Sequence, residues 1–172
     1  VNRVFDHFAE ALGGLDVLLH AAGKHGSQAA ELVGEQDWDT MFDLNGKATV
    51  WTNQAAFRHM REHGGSIVNM GSVEGVRGFA GNAIYAASRG AVMAWTRSVA
   101  LEWGRHGVRV NCVAISATRT PATARAMDNA DFAKKALANY VIRRFGEPSD
   151  VANMVLFLSS DAASWVTGQT YP

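Results

Sequence analysis

Tyr85 and Arg89 stand four residues apart in Ile84-Tyr85-Ala86-Ala87-Ser88-Arg89, a spacing that stacks two side chains on one face of a helix. A cation beside a phenol favours phenolate, which a tyrosine acid–base needs near neutral pH. Ser72 lies 13 residues earlier in Gly71-Ser72-Val73-Glu74-Gly75. Taken alone, a serine in so Gly-rich a stretch reads as a turn residue. A hydrolase nucleophile elbow, Gly-x-Ser-x-Gly, is ruled out because Met70 and Glu74 occupy the glycine positions. Asn45, in Asp43-Leu44-Asn45-Gly46, is poorly favoured inside a helix, which points to a specific role.

The elements that must position these residues alternate between helix and strand. Residues 1–13 read as an amphipathic helix closed by Gly13-Gly14, and Leu15–Leu19 as a short apolar strand. A polar loop from Ala21 to about Gln36 precedes a long helical pattern from about Trp38 to His63. Ser66–Met70 is the next strand, and a Gly-rich loop runs on to Gly81. Ala83 to about His106 forms a second long helix, Val108–Ala114 a third strand, and 115–147 an irregular stretch with a helix near 130–138. Pro148-Ser149-Asp150 caps a last helix to about Ser160, and a turn at Thr167-Gly168 leads into a strand.

Apolar strands joined by helices form a parallel sheet covered on both faces, a doubly wound Rossmann-like α/β fold in a single domain. Both ends read as cuts through a larger domain, so the fold is expected to be incomplete over 1–172 and to leave an apolar strand edge unpaired. Ligands bind such sheets at the carboxyl ends of the strands. His20-Ala21-Ala22-Gly23, Gly71–Gly75 and Ile115–Pro121 all lie there. The two long helices carry apolar residues over more than one stripe, which predicts a homodimer or homotetramer with Trp51, Phe57 and Trp103 at or near the contact.

Composition narrows the function further. A hydrophobic share of 48% with 19% charged residues fits a globular protein, and 16 basic residues balance 16 acidic ones without clustering. No nucleic acid or membrane partner is expected. The lone Cys112 sits mid-strand, excludes an internal disulfide and fits a cytoplasmic location. His59 and His63 are spaced for a metal but sit among Arg58, Arg61 and Glu62. They read as a solvated face, so no metal is expected.

From Leu15 to Gly168 the chain resembles the short-chain dehydrogenase/reductase family. The resemblance rests on the Ser72–Tyr85 interval, Tyr85-x-x-x-Arg89, Asn45, Gln36-x-Trp38, Ile67-Val68-Asn69, Val108-Arg109-Val110-Asn111 and Phe157-Leu158-Ser159-Ser160-Asp161. It implies an oxidoreductase that moves a hydride between NAD or NADP and a small secondary alcohol or ketone. Tyr85 would exchange the proton, Ser72 would hydrogen-bond the reacting oxygen, and Asn45 would hold a water of the proton relay. Arg89 would bind the nicotinamide ribose beside Tyr85. Ala22 and Gly23 would line the cofactor near its adenosine half, Met70, Ile115 and Ser116 would border it, and Thr120 would lie near the nicotinamide amide. Residues 117–145 would form the substrate-covering segment, and Asn69 and Asn111 would be structural.

The chain departs from that family at four places. Arg89 replaces a Lys, Ile115-Ser116 a Pro-Gly pair and His20-Ala21 an Asn-Asn pair, and no Gly-x-Gly-x-x-Gly phosphate loop occurs. Arg89 and Ile115-Ser116 motivate the rival reading, a non-catalytic scaffold that keeps the fold for assembly.

Overall fold

The computed structural model describes all 172 residues. Its elements are α1 (Asn2–Leu12), β1 (Val17–His20), α2 (Glu35–Phe42), α3 (Ala48–Met60), β2 (Gly65–Ser72), α4 (Ala83–Trp103), β3 (Val108–Ile115), α5 (Ala124–Met127), α6 (Ala130–Leu137), α7 (Pro148–Ser159) and β4 (Thr170–Tyr171). The four strands pair in parallel in the order β1-β2-β3-β4. This is the Rossmann-like α/β sheet that the strand and helix alternation implies.

Successive residues of a strand face opposite sides, so each central strand serves two cores. On one side Ile67, Val108 and Val110 pack with Met60, Val99 and Trp103. On the other, Val68 and Val113 pack with Leu158 and Ala163. Buried amides fix the first interface. Asn53 and Asn69 exchange two 2.9 Å hydrogen bonds, Asn69 also donates to Thr96, and Trp95 donates to Asn53. Asn111 secures the other end of the sheet, donating to the Val166 carbonyl and accepting from the Gln169 N–H. The Arg109 guanidinium meets the carbonyls of Leu158 and Ser160 at the end of α7, where a cation and free carbonyls suit each other.

Two features differ from the pattern read in the sequence. Residues 38–63 are not one helix, because a π-helical turn over Asp43–Lys47 separates α2 from α3. Trp103, expected at a subunit contact, is instead buried and stacks on Phe57 with ring centroids 4.4 Å apart. Part of the apolar surplus on these helices is therefore used in packing α3 against α4, and of the three aromatic residues only Trp51 remains exposed. β1 has no partner on its outer side, and Val17 and Leu19 are exposed there. No helix is long and apolar enough to cross a membrane.

Candidate active site

The carboxyl ends of the strands, the start of α4 and the loop after β1 meet at one edge. Ser72 is the last residue of β2, in register with Ile115 on β3. Its buried Oγ accepts the Glu74 N–H at 3.2 Å, capping the 3₁₀ turn Val73–Gly75. That bond uses a lone pair and leaves the Ser72 hydroxyl hydrogen available to a ligand. Gly75 lets α4 come close, since a Cβ there would lie 2.7 Å from the Gly90 nitrogen and 2.9 Å from the Arg89 carbonyl carbon. The glycines of this loop serve packing, since Gly71 likewise lies against Cys112 and Met93.

Tyr85 sits in the first turn of α4 and is buried. Arg89, one turn on, places its guanidinium carbon 5.4 Å from the Tyr85 ring centroid. Its Nη1 donates to the Met70 carbonyl at 2.9 Å, while its buried Nε has no protein partner. The guanidinium also lies against Gly23, where a Cβ would fall 2.9 Å from its central carbon. A bulkier cation than lysine is accommodated because position 23 has no side chain. Ala22, beside it, is exposed.

Asn45 is fully buried in the π-helical turn. Its Oδ1 accepts the Lys24 N–H at 2.7 Å, and its Nδ2 donates to the Lys24 carbonyl and to Ser88 Oγ, both at 2.9 Å. It thus clamps the loop that follows β1 and ties it to α4. On the far side of the edge, the half-buried Ser116 meets Tyr140, and Thr120 is held in a knot with Thr123. The Arg89 guanidinium brings Gly23, Met70 and Tyr85 together, and Ser72 follows Met70 by two residues at the end of β2. Ile115, Ser116 and Thr120 continue this edge along β3 and the following loop.

Four participants carry no signal in the sequence. The His25 ring stands edge-on to Tyr85 at 4.7 Å. Lys24 acts through its backbone, which any residue supplies. Asn82, just before α4, donates to Glu74 at 2.8 Å, and Tyr140 comes from the stretch without periodicity. Cys112, packed beneath Gly71, is by contrast unsuited to this chemistry, because burial pushes its thiol pKa up to about 12.

His20 ends β1 and is buried. Its Nδ1 lies 2.9 Å from Thr52 Oγ1, which is also 2.9 Å from the Ala48 carbonyl. Burial first, and then the Arg89 charge, lower the His20 pKa below its ordinary value of 6.5. The unfolded chain therefore binds this proton more readily. His20 contributes stability that is complete above pH 6.5 and is lost as pH falls through the folded-state value. Urea midpoints measured across this range are expected to fall with pH in the wild type, and less steeply in His20→Asn. Equal slopes in both proteins would refute the assignment.

Residues 1–172 match the family described as enoyl-(acyl carrier protein) reductase. The chain is 35% identical over 170 residues to the 3-oxoacyl-[acyl-carrier-protein] reductase FabG of Thermotoga maritima, covering 98% of this chain and 68% of that protein. A short-chain type dehydrogenase/reductase from Mycobacterium ulcerans superposes with a TM-score of 0.95 at 32% identity, over 99% of this chain and 62% of that one. A gluconate 5-dehydrogenase from Burkholderia cenocepacia, solved with NADP and tartrate, gives 0.92 at 28% identity, over 98% and 67%. The chain thus spans about two thirds of the length of these relatives.

Proposed function

The chain belongs to the short-chain dehydrogenase/reductase family, and from that premise we propose that it carries the reaction centre of an NAD(P)-dependent oxidoreductase interconverting a secondary alcohol and a ketone. The observation that carries the proposal is the Arg89 guanidinium, held between the Met70 carbonyl and Gly23 beside the Tyr85 ring.

These residues fit the nicotinamide half of the cofactor. Arg89 offers a buried Nε–H without a protein partner to a ribose hydroxyl, and Gly23, lacking a side chain, makes the room that the guanidinium occupies. The pyrophosphate cradle is not among them, since Gly71 and Gly75 serve packing. When bound, the nicotinamide supplies or accepts the hydride.

In the reducing direction the Tyr85 phenol gives its proton to the substrate oxygen. The Ser72 hydroxyl, whose lone pair is already engaged by Glu74, donates a hydrogen bond to the same oxygen and orients it. Arg89 stands beside the Tyr85 ring, its guanidinium carbon 5.4 Å from the centroid, as the fixed positive charge of the site. Asn45 keeps the loop at Lys24 in place, and a water bound near that clamp would return the proton from bulk solvent. The same reading includes self-association as a homodimer or homotetramer through the outer face of α3, where Trp51 is exposed.

The test is consumption of NADH or NADPH by the full-length protein, followed by absorbance over a panel of ketones, with sedimentation of the same sample. Turnover of at least one ketone by a dimer or tetramer is the expected result. No oxidation of either cofactor with any ketone would favour the non-catalytic scaffold, and a monomer at micromolar concentration would remove the assembly.

A further inference from the structure

Between β3 and α7 the chain makes a long excursion whose two ends are tied at the carboxyl edge of the sheet. Gly146 donates to the Ala117 carbonyl at 3.0 Å, and Arg119 donates to the Gly146 carbonyl at 2.8 Å. Within the excursion, Arg119 pairs with Asp128, and Arg143 donates to Leu137 and Ala138. Arg144 turns away to Asp150 on α7. Tyr140 instead reaches back to the end of β3, where its phenol oxygen lies 2.6 Å from Ser116 Oγ and accepts the Ala117 N–H at 3.2 Å. Either hydroxyl can donate across the Tyr140–Ser116 pair, and the tie holds in both arrangements.

The pair forms part of the wall of a cleft of about 430 Å³, lined also by Ile115, Ile142, Met154 and Tyr171. The Ser116 hydroxyl, at a position that the resemblance gives to glycine, is the group that meets Tyr140. Tyr140 thus ties the far part of the excursion to Ser116 and Ala117, the two residues that follow β3.

We propose that Tyr140 is a positioning residue for the reaction, holding residues 117–146 against the end of β3 and so setting the affinity for substrate. The inference rests on the oxidoreductase reading for its kinetic consequence, but not for the tie itself. A free excursion must be ordered each time substrate binds, whereas a tied one is already in place. Loss of one partly buried hydrogen bond corresponds to about a tenfold change in such an equilibrium. Tyr140→Phe removes the hydroxyl and keeps the ring, so the fold is retained.

The experiment measures ketone kinetics and the rate of trypsin cleavage at Arg125, Lys134 and Lys135 in the full-length protein. Tyr140→Phe is expected to raise KM about tenfold with a much smaller effect on kcat, and to speed cleavage by a similar factor. Ser116→Gly should give part of the faster cleavage, since the Ala117 N–H bond remains, and the double variant should match Tyr140→Phe. Cleavage at the wild-type rate in Tyr140→Phe, or additive effects in the double variant, would overturn the tie. Non-additive faster cleavage in a protein that turns over no ketone would keep the tie and overturn its role in the reaction.

Discussion

Tyr85→Phe is expected to lower kcat for ketone reduction by about 100-fold or more, the usual size of a lost general acid. The substitution keeps the buried ring, its contact with His25 and its place beside Arg89, so folding and cofactor affinity should change little. Only the proton is removed. Arg89→Lys is the informative companion. Lysine keeps a positive charge and presents a compact ammonium in place of a planar guanidinium, and turnover should be retained or raised. Stopped-flow measurement of single-turnover NAD(P)H oxidation separates these effects from product release. Wild-type rates in Tyr85→Phe would show that the proton comes from elsewhere.

Gly75→Ala is expected to damage stability and chemistry together. The added methyl would meet backbone atoms of α4 at Arg89 and Gly90, which cannot swing aside as a flexible side chain can. Either α4 or the Ser72 turn must move, and overpacking of this kind costs about 3 kcal/mol. The displacement would part Ser72 from Tyr85 and Arg89, so turnover should fall even in the fraction that folds. Gly78→Ala is the control, because a methyl there meets nothing within 4 Å. It should leave stability unchanged or slightly raised. Urea unfolding of both variants decides the matter: equal midpoints for Gly75→Ala and the wild type would mean that the close approach is not required.

Much of this site is legible in the amino-acid sequence, and the reason is geometric. Tyr85 and Arg89 lie on one helix, so their spacing alone specifies a shared face. The apolar run that ends at Met70 marks the strand leading to Ser72, but Ser72 itself reads as part of the Gly-rich loop, whereas the strand runs on through it. What escapes the sequence are the contacts that depend on the path of a loop. Asn45 is marked as unusual by its place in a helix, yet nothing indicates that its partner is the Lys24 backbone. Tyr140 lies in a stretch whose lack of periodicity hides which residue turns inward. The aromatic residues of α3 and α4 mislead for a related reason. An apolar side chain reads alike whether a neighbouring helix or a second subunit covers it, and Trp103 proves to be covered from within by Phe57.

The π-helical turn at Asp43–Lys47 constrains how this protein can vary through descent. A turn of this kind holds one residue more than an α-helical turn, and each residue advances a helix by about 100°. The insertion therefore acts as a phase shifter. With it, Met41 of α2 meets Ile84 and Tyr85 of α4, while α3 presents Ala56 and Met60 to the sheet. Deleting a single codon anywhere in the turn would leave the composition almost untouched and yet rotate the eight residues of α2 off their seat, loosening the packing behind Tyr85. Apart from Asn45, whose amide is committed to Lys24 and Ser88, substitutions can be absorbed here one at a time, but a change of length cannot, so what must be kept across the rest of this turn is its count of residues.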